Sequence, residues 1–229
     1  MKKPLETTTV REMLYRGGEC LLCDLEEKAE SQLLAYYLGN SVMQPQIRVK
    51  VNHSGFCGIH FQALYDAGNR LGLALITHTH LLETWKRVRD EQRGLGKPRK
   101  ADGFIRFLKD RKSACLICRR LEETVRGYAF AIVYLWDKDP EFRRNLHESR
   151  GFCLPHLAVA HELAGENLSK KQLAIWYEEI SALQHRTLED IEQRLKHFTT
   201  SYNYVGDQPR NEDEGAILPR AIRKLTGRR

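Results

Sequence analysis

Apolar positions recur at three- and four-residue intervals through most of this chain, which is the period of an amphipathic helix. Leu21, Leu22, Leu25, Leu33, Leu34, Tyr37 and Leu38 form one such pattern, ended by Gly39. Phe61, Leu64, Leu71, Leu75, His78, Leu82, Trp85 and Val88 form the longest. The spacing predicts one helix there, weakened locally at Gly68 and Gly72. Val125, Ala129, Ile132, Val133, Leu135 and Trp136 form a third, closed by Asp137-Lys-Asp-Pro140. A fourth starts with Ser169 as N-cap and runs through Leu173, Trp176, Ile180, Leu183, Leu188, Ile191 and Leu195 to Phe198. Shorter helices are predicted over 10–15, 104–111, 141–149, 157–163 and 217–225. Residues 40–52 read as an irregular or short helical bridge containing Pro45, and 199–215 as a loop. Strand-like alternation is nearly absent, so the expected fold is all-α.

One motif occurs twice. Cys20-x-x-Cys23 is followed by Gly55-Phe-Cys57-Gly-Ile-His60, and Cys115-x-x-Cys118 by Gly151-Phe-Cys153-Leu-Pro-His156. The four anchors move by 95, 95, 96 and 96 residues between copies (20→115, 23→118, 57→153, 60→156). All six cysteines are used. The repeat predicts two helical modules, each with short helix, CxxC, long helix, bridge, GFCxxH and long helix. The boundaries expected are 1–93 for the first module, 94–102 for a basic linker (GLGKPRKAD), 103–200 for the second module and 201–229 for a tail with a short amphipathic helix.

Two ligands spaced x-x on one helical turn can hold the same ion, and a second pair can come from far along the chain. Each copy has one CxxC and one CxxH, which makes two Cys₃His sets. The near-equal spacing favours pairing within each half: Cys20, Cys23, Cys57 and His60, then Cys115, Cys118, Cys153 and His156. Pairing CxxC of one half with CxxH of the other stays open. In either arrangement the site joins the starts of two helices, where the helix dipole favours thiolate. The preferred cofactor is zinc, two ions per chain, because Cys₃His is a structural zinc set. An iron–sulfur cluster, normally held by four cysteines, is the alternative, and a redox use of the same residues goes with it. Four protein ligands leave no open position, which points to a structural ion.

Composition adds an environment. No apolar run is long enough to span a bilayer, so no membrane partner is expected. Met1-Lys-Lys-Pro-Leu-Glu-Thr has no apolar stretch of the signal-peptide kind, so a cytoplasmic location is expected. Paired cysteines in that reducing compartment bind metal more often than they form disulfides. The formal charge is +7, and basic residues concentrate at 87–120 and 220–229. Lys97, Arg99, Lys100 and Arg106 around the linker are candidate contacts for nucleic acid or a ribonucleoprotein.

A rival reading is an enzyme or small-molecule sensor. Its pocket would be lined by Asn69 and Arg70, a polar interruption of an apolar pattern, with His78 and His80 beyond them. His78 shares the face of Leu71, Leu75, Leu82 and Trp85, which reads as a core or boundary position. No Gly-x-Ser-x-Gly, phosphate-binding glycine loop or HExxH is present. The balance favours a non-enzymatic binding protein.

With these motifs in view, the chain resembles a family of bacterial proteins that carry a domain of unknown function. The matching features are CLLC at 20–23, Met43 and Ile47-Arg48 in the bridge, GFCGIH, Asn69-Arg-Leu-Gly-Leu-Ala-Leu75 with His80, CLIC at 115–118, GFCLPH, and the tail through Tyr202-Asn-Tyr204 to Ala216-Ile-Leu-Pro-Arg-Ala-Ile222. Where the family tends to carry an acidic-aromatic-basic stretch, this chain has Ser201-Tyr-Asn-Tyr204. The resemblance implies a bacterial source and a single unit over nearly the whole length, with no activity attached.

Overall fold

The computed structural model describes residues 1–93, 98–205 and 212–228. Every regular element among them is helical. The chain runs through α1 (Thr7–Arg16), α2 (Leu21–Leu38), a 3₁₀ turn (Asn40–Met43), α3 (Pro45–Ser54), α4 (Gly58–Asp66) and α5 (Arg70–Gln92). It continues through α6 (Pro98–Ser113), α7 (Leu116–Lys138), α8 (Pro140–Glu148), α9 (Leu154–Asn167), α10 (Lys170–Val205) and α11 (Glu212–Thr226).

Local chemistry sets these boundaries. Pro45 and Pro140 each open a helix, where a missing N–H costs nothing. Asp139 caps α8 by accepting from the backbone N–H of Glu141 and Phe142 at 3.0 and 3.1 Å. Ser169 and Gln172 cap each other's backbone N–H at the start of α10, a capping box. Asn69 does the same work at a place where the sequence predicted continuity. Its side chain accepts from Gly72 N–H at 2.9 Å and starts a new helix just after Gly68, which sits at φ 91°. The long helix expected from residue 61 to 88 is therefore two, α4 and α5.

Two other expectations change. Residues 98–102 of the expected linker belong to α6, while 94–97 lie outside the described residues. α10 continues to Val205, so the expected loop at 199–215 is helical in its first part, and 206–211 lie outside the described residues. No helix among the described residues is long and apolar enough to cross a membrane.

The chain divides into two units: Met1–Glu27 with Thr124–Arg229, and Lys28–Glu123. The cuts fall inside α2 and α7 rather than at the 94–102 segment. In the first unit, α1 is tied to the start of α8 by Arg11, whose Nε donates to Asp139 at 3.1 Å. Trp136 of α7 meets Trp176 of α10 edge to face, with centroids 5.2 Å apart. Trp136 also donates to Glu179, which Arg143 engages as well. Trp176 donates to His161. Phe152, Leu146, Ile132 and Leu183 of the same unit are buried.

In the second unit, α3 packs on α5, and an aromatic series of edge-to-face contacts runs Tyr36, Tyr37, Phe56, Phe61. The apolar face of α5 is a correction to the sequence reading. Leu71, Leu82 and Trp85 are more than half exposed, and His78 lies open beside them. The packed face is the one carrying Leu73 and Ile76.

Candidate metal centres

The two GFC turns have the same backbone. Gly55 and Gly151 both sit at φ 69°, a left-handed conformation that side-chain-bearing residues avoid. The next cysteine in each turn is extended and caps a helix: Cys57 (φ −74°, ψ 168°) before α4, and Cys153 (φ −71°, ψ 161°) before α9. The CxxH pair thus occupies the first turn of a helix, with its ligand atoms on one side. The CxxC pairs occupy the first turns of α2 and α7 in the same manner.

The structure pairs these turns across the sequence halves. Cys20, Cys23, Cys153 and His156 form one cluster and Cys57, His60, Cys115 and Cys118 the other, each with all four ligand atoms within 4.8 Å of one another. Pairing within each half, which the spacing favoured, is not what the fold adopts. The physical reason lies in the unit boundaries. The first cluster lies wholly within the first unit, and the second wholly within the inserted residues 28–123. Each cluster still joins the starts of two helices, α2 to α9 and α4 to α7.

The geometry suits a single ion. In the first cluster, His156 Nδ1 lies 3.5 Å from Cys20 Sγ and 3.4 Å from Cys23 Sγ, and the Cys23 and Cys153 sulfurs are 3.7 Å apart. In the second, His60 Nδ1 lies 3.1, 3.2 and 3.3 Å from Cys57, Cys115 and Cys118, and the Cys57 and Cys118 sulfurs are 3.7 Å apart. A tetrahedral zinc with arms of about 2.3 Å to sulfur and 2.0 Å to nitrogen puts its sulfurs about 3.8 Å apart and its nitrogen about 3.5 Å from each sulfur. The observed edges are close to both. All six cysteines are free thiols.

Each histidine turns its other nitrogen to a carboxylate on α2. His60 Nε2 is 3.1 Å from Glu30, and His156 Nε2 is 3.9 Å from Glu26. A proton on Nε2 directed at the carboxylate leaves the Nδ1 lone pair for the ion, the usual support for a metal-bound histidine. Glu30 and His60 are both buried.

The thiols share charge unevenly. Burial pushes the Cys20 thiol up, but hydrogen bonds from Cys153, Cys23 and His156 outweigh it and hold Cys20 well below its ordinary value. Hydrogen bonds with Cys153 and then Cys20, together with burial, hold Cys23 far above it. Burial likewise opposes the Cys57 thiolate, yet the backbone N–H of His60 at the α4 start brings Cys57 down. Burial and the bond with Cys115 push Cys118 up to about 12. Burial lowers His156, but its sulfur neighbours raise it to about 10. An ion entering either cluster displaces these protons, so its affinity falls in acid.

Three further residues support the first cluster. Lys224 of α11, 1% exposed, donates to the carbonyl oxygens of Glu19 and Arg150, next to the two cysteine turns. Arg223 donates to Asp24 at 2.7 Å, and Arg220 to Glu19 at 2.6 Å. Three thiolates around a divalent ion leave one net negative charge, and these cations lie beside it. The basic end of the sequence, which suggested a nucleic-acid contact, is engaged here. Gln184 of α10 brackets the GFC turn, accepting from Phe152 N–H and donating to Phe152 carbonyl at 3.0 Å.

His80 plays the matching part in the second unit. Its ring packs so closely on Gly55 that an added Cβ would lie 2.4 Å from Nε2, and its Nδ1 is 2.9 Å from Asn52 carbonyl. The other expected pocket residues have separate tasks. Asn69 caps α5 and donates to Leu38 carbonyl, Arg70 lies over the Tyr65 ring, and His78 is exposed. A small cavity in this unit is lined by Tyr37, Val42, Val51, Ile76 and Thr79, and by none of these four residues. Of the expected nucleic-acid contacts, Arg106 is exposed on α6 and Arg99 and Lys100 lie in its first turn. Lys97 falls outside the described residues. Glu26, Glu30, Gln184 and Lys224 carried no motif. The one signal available was that Glu26 and Glu30 lie one helical turn apart, just after the first CxxC.

A model described as "Family of unknown function (DUF6062)" matches residues 1–229. The chain belongs to this family. A curated relative, an uncharacterized 23.9 kDa protein in the xynA 3' region of Caldicellulosiruptor sp. (strain Rt8B.4), is 22% identical over 197 residues, covering 86% of this chain and 92% of the relative. No solved structure matches. The DUF6062 assignment spans both clusters, so the duplicated motif belongs to one family unit.

Proposed function

We propose that this DUF6062 protein is a non-enzymatic, zinc-binding helical protein that holds nucleic acid, or a ribonucleoprotein, on a basic surface. One observation carries the metal part: two Cys₃His sets whose edges match a tetrahedron around one zinc ion. An iron–sulfur cluster distributes its ligands over several irons, whereas these donors converge on one point. Four protein donors close each site, which supports a structural ion that contributes its binding free energy to folding. Free thiols in paired turns suit a reducing compartment such as the cytoplasm.

Elemental analysis of protein purified without added metal tests this. The expected result is two zinc ions per chain, and a strong chelator should lower the melting temperature. A brown iron chromophore, or two sites that stay empty in zinc-supplemented cells, overturns the zinc reading.

The nucleic-acid part rests on charge. The formal charge is +7, and Arg106, Lys109, Arg119 and Arg120 are exposed along α6 and α7. Titration with labelled RNA and DNA at two salt concentrations checks it, because phosphate contacts make affinity fall with salt.

A further inference from the structure

In the second unit, α2, α3 and α7 enclose an open groove of about 790 Å³, a size typical of ligand sites. Its apolar side is built from Leu33, Ile47, Leu116 and the buried Tyr37. Tyr36 stands beside them, 45% exposed and edge-on to Tyr37 at 5.3 Å. Lys50, Arg119 and Arg120 line the same groove with a single acid, Glu123, 3.2 Å from Arg120. Three cations against one carboxylate call for an anion. An exposed aromatic ring next to the cations calls for a flat ring attached to that anion. The groove is open, so a chain can pass along it.

We propose that this groove seats a short segment of single-stranded nucleic acid, with one base on Tyr36 and the neighbouring backbone phosphates on Lys50, Arg119 and Arg120. The proposal rests on the nucleic-acid reading above and assigns it to Lys50, Arg119 and Arg120 in place of Lys97, Arg99, Lys100 and Arg106. It also gives the second cluster a purpose. Arg119 directly follows the ligand Cys118, and α3, which carries Lys50, runs into the Cys57 turn. An ion held by Cys57, His60, Cys115 and Cys118 would fasten both cation-bearing segments. The same chemistry is offered by a free mononucleotide, and the test separates the two sources.

Fluorescence anisotropy of the zinc-loaded full chain is read with a labelled 12-nucleotide single strand, a labelled duplex hairpin, and AMP as competitor. The single strand should bind more tightly than the hairpin. With about three phosphates engaged, affinity should fall about 20-fold between 50 and 200 mM salt. Tyr36→Ala should weaken it roughly tenfold, the scale of one lost base stack. Lys50→Glu and Arg119→Glu should each weaken it further, and two positions on separate helices guard against one variant failing to fold. Displacement by AMP at equal nucleotide concentration supports the groove with a free nucleotide as its ligand. If the strand binds but only charge reversal at Arg106 and Lys109 weakens it, the groove assignment is wrong while the nucleic-acid reading stands. If no nucleic acid binds at low salt and AMP does not bind either, both fall.

Discussion

Glu30 lies 3.1 Å from His60 Nε2, on the side of the ring opposite the three sulfurs. The carboxylate and the thiols therefore act on one imidazole from two directions, fixing both its rotation and its proton. Replacing Glu30 with Gln should lower zinc affinity at the second site by about 10- to 100-fold, the usual effect of losing such support. Glu26→Gln should do less at the first site, because Glu26 stands 3.9 Å from His156. Competition with a chromophoric chelator measures both, and equal effects would contradict the geometry.

Cross-pairing makes a count that pairing within halves does not. Cys20 and Cys153 belong to one cluster, and Cys20 and Cys57 to different ones. The Cys20→Ser, Cys153→Ser double variant should keep one zinc ion per chain. The Cys20→Ser, Cys57→Ser variant should keep none tightly bound. Native mass spectrometry distinguishes them, and the reverse result restores pairing within halves.

Gly55 has φ 69° and ψ −158°, a region occupied almost only by glycine. A Cβ there would also meet the His80 ring. Gly55→Ala should cost about 1–3 kcal/mol from the backbone alone, and more through the ring. Gly58→Ala, in the first turn of α4 with open space around it, should be neutral or slightly stabilising. Denaturant melts of the two variants make the comparison. Equal stability would mean the turn is looser than described.

Asp139 links an acid response to a cap. Burial opposes its charge, but the Phe142 backbone N–H and the Arg11 guanidinium outweigh that and hold the carboxyl below its usual range. A depressed folded value means the contribution to stability is present above the unfolded value of about 3.9 and is lost as pH falls through the folded one. Asp139→Ala should therefore cost about 1 kcal/mol at neutral pH, as for other caps, and its deficit should shrink below about pH 3.9. A deficit that stays constant down to pH 2 would assign the effect to packing.

The eight cysteines and histidines that cluster were legible because a duplicated spacing leaves a trace in sequence, and the all-α fold was legible because helical periodicity does. The partners were not. Spacing pointed to the nearer pair in each half, 34 residues from Cys23 to Cys57 and 35 from Cys118 to Cys153, but nearness along the chain is not nearness in space, and the fold joins the more distant pairs. Asn69 read as a polar interruption because a cap inside a long apolar pattern looks like one. The face of Leu71, Leu82 and Trp85 read as core because periodicity shows that a face is apolar, not that anything covers it. Lys224 read as part of a basic end because a buried lysine between two carbonyls has no sequence signature.

The two ligand sets are nested, with positions 57 to 118 enclosed by positions 20 to 156. A chain leaving the ribosome therefore completes the inner set while the outer one still lacks half its donors. Closing the inner set ties residues 57–118 into a loop, which shortens the free chain that must be spanned before Cys20 and Cys23 meet Cys153 and His156. An ion taken up during synthesis would therefore enter the inner set first. Until Cys153 and His156 emerge, the earliest cysteine pair waits with no site of its own.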